Sequence, residues 1–133
     1  MTEKVEKSDK EWLDQLGPQA FKVLRKHGTE RAGTSPLNVE KRDGTFNCAG
    51  CGQPLFASET KFESGTGWPS FYQPIDDTAI EEKVDRSLFM SRTEVHCAKC
   101  GGHQGHVFPD GPKPTGLRYC INGVSLAFEP KED

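Results

Sequence analysis

Residues 97–108 read C-A-K-C-G-G-H-Q-G-H-V-F and, after a turn-rich segment, residues 116–128 read G-L-R-Y-C-I-N-G-V-S-L-A-F. Short apolar runs bounded by Gly, Pro and Asn are typical of β-strands joined by tight turns. The pattern predicts strands over 118–121 and 124–128. We therefore expect a mainly β core.

The links between the predicted strands are harder to assign. Asn122-Gly123 is a type I′ hairpin signal, and it also fits a kink within one continuous strand. Residues 89–97 alternate in polarity for part of their length, which indicates a further strand. Residues 76–84 are interpreted as a short helical or irregular crossing. The β core is predicted to span about 45–130.

The N-terminal part of the chain predicts two helices within about residues 8–28. Ser8 followed three residues later by Glu11 fits a capping box, in which each side chain accepts a hydrogen bond from the other's backbone N–H. Pro18 can open the second helix at its first position, and Gly28 is predicted to end it. We expect these helices to form an arm packed over the main body.

Two near-copies of one motif, C-A-G-C-G at 48–52 and C-A-K-C-G at 97–101, indicate a metal site. Each places two thiolates at a tight turn, and the glycine that follows relieves a backbone that needs positive φ. Four sulfurs can form the closed tetrahedral shell of a structural zinc ion. Two disulfides, a redox-active pair and an iron–sulfur centre are the alternatives. The pattern favours zinc held by Cys48, Cys51, Cys97 and Cys100.

Cys120 is the fifth cysteine and is left over in this scheme. In a strand, residues two apart point to the same face, so Arg118 and Asn122 are expected beside its sulfur. The positive charge of the guanidinium would favour the thiolate, and the carboxamide offers a neutral donor. A buried, inert strand cysteine is the alternative interpretation.

Two further segments offer side chains for chemistry. His103 and His106 follow the second cysteine motif, where an imidazole can act as a general acid or base near neutral pH. A solvated loop histidine and a zinc ligand are the alternatives for this pair. Trp68 lies in the Gly- and Pro-containing segment at 64–71. It could pack in the core or form one wall of an apolar pocket.

The composition argues against several classes of partner. The chain has 133 residues and a net charge of −3, whereas nucleic acid and anionic membranes require a concentrated basic face. No apolar run approaches the roughly 20 residues of a membrane span. The acid-rich N-terminus resembles neither a secretory signal nor an organelle presequence. We expect a cytoplasmic monomer with reduced thiols and no nucleic-acid or membrane partner.

Three motifs taken together resemble those of the B-class methionine sulfoxide reductases, which act on the R epimer. They are S-G-T-G-W-P-S-F at 64–71, G-H-Q-G-H-V-F-P-D-G-P at 102–112 and G-L-R-Y-C-I-N-G-V-S-L at 116–126. The two cysteine motifs match as well, so the likeness covers roughly 11–128. It implies two small antiparallel β-sheets packed face to face, with peripheral N-terminal helices, in one catalytic domain over 1–133.

The resemblance also implies roles for the matching residues. The thiolate would attack the sulfoxide sulfur while a histidine protonates the oxygen, so that methionine leaves and the cysteine becomes a sulfenic acid. The matches are Cys120 for the nucleophile, His103 and His106 for the acid-assisting histidines, Arg118 for the thiolate-tuning arginine, Asn122 for a hydrogen-bonding asparagine, Asp110 for an aspartate that orients its neighbours, and Trp68 with Phe108 for the wall against the substrate methyl group.

One departure from the family bears on how the cysteine is regenerated. Many relatives carry a resolving cysteine in S-G-C-G-W, and this chain has Thr66 there. Because the other cysteines are expected to bind zinc, we expect thioredoxin or a glutathione-type thiol to reduce the sulfenic acid. Smaller departures are Gln104, where an apolar residue is usual, and Gly123, where a serine is common.

Two rival functions are compatible with parts of this sequence. One is a non-enzymatic, zinc-dependent module that binds a protein partner, because a fold alone does not fix a function. The other is a thiol enzyme that acts on small peroxides. The R-Y-C-I-N segment and the paired histidines favour an enzyme. Trp68 favours a methyl-bearing substrate, which we expect to be methionine sulfoxide in oxidised proteins or peptides.

Overall fold

The computed structural model describes residues 5–85 and 92–131. Within them, two helices precede a series of short strands. The helices are α1 (Asp9–Leu16) and α2 (Pro18–Lys26), and the strands are β1 (Gly44–Cys48), β2 (Pro54–Ala57), β3 (Lys61–Phe62), β4 (Ser70–Phe71), β5 (Ile80–Asp85), β6 (Arg92–Cys97), β7 (His103–Phe108), β8 (Arg118–Ile121) and β9 (Leu126–Pro130). None of the described helices is long and apolar enough to span a bilayer.

The starts of both helices agree with the sequence prediction, whereas the end of α2 does not. The capping box is confirmed, because Ser8 and Glu11 each accept the other's backbone N–H at 3.1–3.2 Å. Pro18 is the first residue of α2, as predicted. The end of α2 differs from the prediction, since His27 and not Gly28 takes the left-handed conformation, with φ 57°. Gly28 already lies outside the helix, and its N–H donates to the Lys22 carbonyl at 3.0 Å.

The described strands form two antiparallel sheets, which confirms the mainly β fold. The small sheet has the order β2-β1-β9 and the large sheet the order β3-β4-β8-β7-β6-β5. Aromatic rings join the two sheets in the core. Phe71 of the large sheet stacks on Phe56 of the small sheet at 4.4 Å between ring centroids and meets Phe46 edge-on at 5.0 Å.

Both interpretations of Asn122-Gly123 were wrong. Strand β8 ends in the large sheet and β9 begins in the small sheet, so the chain changes sheets through a 3-10 turn at Gly123–Ser125. Glu30 holds this turn by accepting the Val124 N–H at 2.9 Å. A Cβ on Gly123 would lie 1.9 Å from Ser35 Oγ, so a larger residue there would require Ser35 to move. The predicted strand at 124–128 therefore starts only at residue 126.

The interpretation of residues 76–84 as a short helical or irregular crossing fits 76–79, which form an irregular turn, and is wrong from Ile80 onward. Strand β5 begins at Ile80 and pairs with β6 along its whole length. It is an edge strand of the large sheet, and residues 81–84 are exposed, so it lacks the apolar alternation that marks a half-buried strand. The predicted strand over 89–97 is present from Arg92, and 89–91 lie outside the described residues.

Candidate active site

The predicted nucleophile and one predicted histidine face each other across two central strands. Strands β7 and β8 pair His106 with Cys120 and Phe108 with Arg118. Opposite residues in an antiparallel pair share a face, with Cβ atoms about 4.5–5.5 Å apart. A cavity of about 300 Å³ opens on this face. The predicted residues that line it are Trp68, His106, Phe108, Arg118, Cys120 and Asn122.

The Cys120 thiol is partly buried and lines this cavity. Burial raises the pKa of the thiol, whereas the Thr66 hydroxyl and the Arg118 guanidinium oppose that rise and Asp110 adds to it. Cys120 is therefore reachable from the cavity, and burial outweighs the opposing groups, so the pKa of its thiol lies above the ordinary value. An inert, fully buried cysteine does not describe this position.

Arg118 is held between an aspartate and an aromatic ring. Its Nε and Nη2 donate to the two carboxylate oxygens of Asp110 at 2.9 and 3.2 Å. Its guanidinium also lies over the Phe108 ring, 4.4 Å from the centroid. The hydrogen bonds from Arg118 hold the pKa of Asp110 below its usual value. Asp110 therefore pairs with Arg118 and is not among the residues that line the cavity.

Two substitutions in this ion pair should move the Cys120 pKa in opposite directions. Asp110→Asn removes a negative charge that raises the thiol pKa, so ionisation should shift to lower pH. Arg118→Gln removes the positive charge that favours the thiolate, so ionisation should shift to higher pH. The rate of Cys120 alkylation by iodoacetamide, followed by mass spectrometry across pH, measures both shifts. Shifts of the same sign would contradict this electrostatic account.

His103 lies behind the cavity and does not line it. Strands β6 and β7 pair Val95 with Gly105 but His96 with His103, so β7 has one extra residue there. This bulge brings His103 to the same side as His106, with ring centroids 5.5 Å apart. Burial lowers the pKa of His103 and outweighs the opposing effect of Glu94, so a neutral imidazole is favoured.

Glu94 and His27 lie at the site although no sequence motif predicts them there. The Glu94 carboxylate lies 2.8 Å from His103 Nδ1 and 2.6 Å from His27 Nδ1. One oxygen or nitrogen from each of these three residues lies within 4.8 Å of the others, a spacing that these hydrogen bonds account for. A glutamate within a predicted strand was the available signal for Glu94. Nothing in the sequence pointed to His27, which meets the site only through folding.

Asn122 and Trp68 are both fixed by the segment around Glu30. The Asn122 side chain is buried, accepts the Glu30 N–H at 2.9 Å and donates to the Gln104 carbonyl at 3.1 Å. The Trp68 indole donates to the Glu30 carbonyl at 3.1 Å. These hydrogen bonds hold the carboxamide and the indole at the edge of the cavity. The Asn122 amide is therefore engaged mainly with the backbone.

The four remaining cysteines form one cluster whose sulfur atoms all lie within 4.8 Å of one another. The Cys48 and Cys100 sulfurs are 3.6 Å apart, and those of Cys51 and Cys97 are 3.5 Å apart. A tetrahedral ion with metal–sulfur distances of about 2.3 Å separates its ligands by about 3.8 Å. The described structure thus brings together the four sulfurs of a possible metal site.

The backbone around this cluster fits thiolate ligands. The Gly50 and Gly102 N–H groups donate to the Cys48 and Cys100 sulfurs at 3.3 and 3.4 Å. Gly52 and Gly101 adopt φ of 81° and 77°, as the sequence predicts. Hydrogen bonds to a sulfur favour its anionic form, which is the form that binds metal ions.

Comparison with known proteins returned one family and many relatives. The SelR domain family model matches residues 16–130. The chain is 55% identical over 127 residues to "Peptide methionine sulfoxide reductase MsrB" of Agrobacterium fabrum, covering 96% of this chain and 94% of the relative. The protein of the same name from Leptospira interrogans is 54% identical over 129 residues, covering 97% and 98% of the two chains. That of Methanosarcina mazei is 55% identical over 130 residues, covering 98% and 93%.

Proposed function

The chain belongs to the SelR-domain family, whose relatives are named peptide methionine sulfoxide reductases, and from that premise we propose how its site works. It is an oxidoreductase that reduces methionine sulfoxide to methionine. We propose that Cys120 is the nucleophile, that the R epimer is the substrate, and that protein-bound and free forms are both accepted. The register that sets His106 opposite Cys120 in one cavity carries this proposal.

The reaction needs one thiolate and one proton donor at the substrate. The Cys120 thiolate attacks the sulfoxide sulfur to form a sulfur–sulfur bond, and His106 gives a proton to the oxygen. The hydroxyl then transfers to the Cys120 sulfur as the sulfur–oxygen and sulfur–sulfur bonds break. The electron pair of the sulfur–sulfur bond stays on the substrate sulfur, so methionine leaves and Cys120 is oxidised by two electrons to a sulfenic acid. Arg118 stabilises the thiolate before attack, and Asp110 holds Arg118 in place.

Selection of one epimer follows from a cavity that is apolar on one side and polar on the other. Trp68 and Phe108 offer apolar faces for the methyl group, whereas His106 offers a polar donor for the oxygen. The hydrogen bond from the Trp68 indole to the Glu30 carbonyl keeps the ring from turning away. The S epimer would exchange these two groups and place its oxygen against the aromatic faces, where it would lose its hydrogen bond.

An epimer assay tests this proposal. With dithiothreitol as reductant, the protein should convert dabsyl-methionine R-sulfoxide to the sulfide and leave the S-sulfoxide largely unchanged. A site that must leave a buried oxygen unpaired typically discriminates by about 1–3 kcal/mol, which corresponds to a preference of roughly 5- to 150-fold. Equal rates on both epimers, measured by chromatography, would reject the selectivity. A higher rate on hydrogen peroxide in parallel would favour the peroxidase alternative.

We also propose that the metal in the four-cysteine cluster is zinc in a structural role. A closed set of four thiolates leaves no open position for substrate, so the ion would supply fold stability and no reaction chemistry. The ligands would be Cys48, Cys51, Cys97 and Cys100. Their spacing and the N–H groups aimed at two of them support this assignment.

Regeneration of Cys120 completes the proposal. The resolving position holds Thr66, and the described cysteines other than Cys120 all belong to the metal cluster. An external thiol, thioredoxin or a glutathione-type reductant, would therefore reduce the sulfenic acid. A thiolate enzyme of this kind needs a reducing compartment, which favours the cytoplasm. One domain over 1–133 supplies every proposed site residue, so a monomer suffices.

A further inference from the structure

A buried carboxylate behind the active site joins two imidazoles. Glu94 lies on β6 opposite His106, and 7% of its surface is exposed. Its Oε1 lies 2.6 Å from His27 Nδ1 and 2.8 Å from His103 Nδ1. Burying a charged group costs free energy unless it is paired and hydrogen-bonded. The two histidines provide the hydrogen bonds that allow the Glu94 carboxylate to be buried, so the role of Glu94 is sought in what it does to them.

His27 reaches Glu94 from an unusual backbone conformation. It ends α2 with φ 57°, a left-handed geometry in which glycine or asparagine is less costly than histidine. Its side chain is 63% exposed, so the hydrophobic effect does not explain its position. What the imidazole gains is the hydrogen bond to Glu94 and a ring contact with His103 at 5.4 Å between centroids.

We propose that Glu94 and His27 are positioning residues for His103, an inference that rests on the proposed function. Glu94 fixes His103 as the tautomer with its proton on Nδ1, and His27 fixes the Glu94 carboxylate. The second nitrogen of His103, Nε2, is buried and has no hydrogen-bond partner among the described residues. It is left as an acceptor on the ring that lies 5.5 Å, between centroids, from the His106 ring.

The charges around Glu94 agree with this arrangement. Burial opposes ionisation of Glu94, but the hydrogen bonds from the His103 and His27 imidazoles help to lower the carboxyl pKa. An ionised carboxylate can only accept hydrogen bonds, so His103 must donate its hydrogen bond to Glu94 from Nδ1. The two histidines then have different roles. His106 lines the cavity and delivers the proton, whereas His103 packs against His106 on the side away from the substrate.

Nitrogen NMR tests the tautomer without using activity. In the metal-loaded protein labelled with nitrogen-15, two-bond hydrogen–nitrogen spectra should show His103 protonated on Nδ1 and bare on Nε2. In Glu94→Gln, the carboxamide can turn either its oxygen or its NH₂ group to Nδ1, so a second His103 tautomer should appear. A wild-type His103 protonated on Nε2 would overturn the proposal.

Kinetics test whether this positioning serves the reaction. Glu94→Gln should lower kcat roughly 10–100-fold, the loss typical when a group that orients a functional imidazole is removed, with little change in KM. Glu81→Gln, on the neighbouring edge strand, is the matched control and should retain wild-type kcat. An unchanged kcat in Glu94→Gln would overturn the proposal.

The His27 contribution needs its own variant. His27→Asn keeps a residue that tolerates the left-handed conformation, so helix α2 should end as before. Its kcat should fall less than that of Glu94→Gln, and the double variant should be no slower than Glu94→Gln alone, because both act through His103. Independent, multiplying losses would overturn the role of His27. If the wild type reduced no sulfoxide while the tautomer prediction held, the proposed function would fail and the positioning would stand.

Discussion

Cys120→Ser is expected to remove methionine sulfoxide reduction by at least about 10³-fold, as losses of a nucleophile typically do. A serine hydroxyl does not ionise near neutral pH, and its oxygen cannot accept the substrate oxygen as a sulfur does in forming a sulfenic acid. Cys120 is only partly buried, and the change replaces sulfur by oxygen alone, so the effect on folding should stay near 1 kcal/mol. The measurement is a single-turnover assay beside thermal unfolding and metal content.

The same experiment can follow the oxidised cysteine in the wild type. One turnover in the presence of dimedone should label Cys120, because dimedone traps sulfenic acids. Thr66→Ser, a conservative change in the same cavity, should keep both activity and labelling. Measurable turnover by Cys120→Ser would remove Cys120 from the proposed role. Quantitative disulfide formation in place of labelling would show that a cysteine of the metal cluster acts as the resolving thiol.

The site illustrates what a sequence pattern can specify. Alternation along one strand is enough to place Arg118 and Cys120 on a common face, and the structure gives that result. The bulge between β6 and β7 cannot be predicted from alternation, because one extra residue reverses the face of everything before it. Alternation alone would put His103 and His106 on opposite faces, whereas the bulge brings both to the same side, where His106 lines the cavity and His103 lies behind it.

The fold shows a similar division between local and long-range information. The caps of α1 and the positive φ at Gly52 depend on neighbouring residues, so the sequence predicts them. The turn at residues 123–125 depends on Glu30, more than 90 positions away, whose carboxylate binds the Val124 N–H. Residues 81–84 of edge strand β5 are exposed, so this strand shows no alternation of apolar and polar residues. In both cases the structure depends on pairing with residues distant in the sequence, which a local pattern does not show.

Removal of the metal is expected to unfold much of the domain. A four-thiolate zinc site supplies roughly 10–16 kcal/mol of apparent binding free energy, whereas a whole domain is typically stable by about 5–15 kcal/mol. Cys48→Ser, or chelation of the wild type, should therefore lower the unfolding temperature sharply. Thermal unfolding and atomic absorption on the same samples measure both quantities. Cys120→Ser is the matched control, because it alters a cysteine outside the cluster and should retain zinc.

The loss should reach both the helical arm and the active site, because each is tied to the cluster. Gln15 donates to the Gly50 carbonyl at 2.6 Å and Arg25 to the Cys100 carbonyl at 2.8 Å, so the arm rests on both cysteine turns. Strand β7 begins directly after the second turn, and Gln104 on it donates to the Cys48 sulfur at 3.5 Å. Amide hydrogen exchange should therefore rise in α1, α2 and β7 together. A Cys48→Ser protein that purified folded, zinc-free and as heat-stable as the wild type would refute a structural role for the metal.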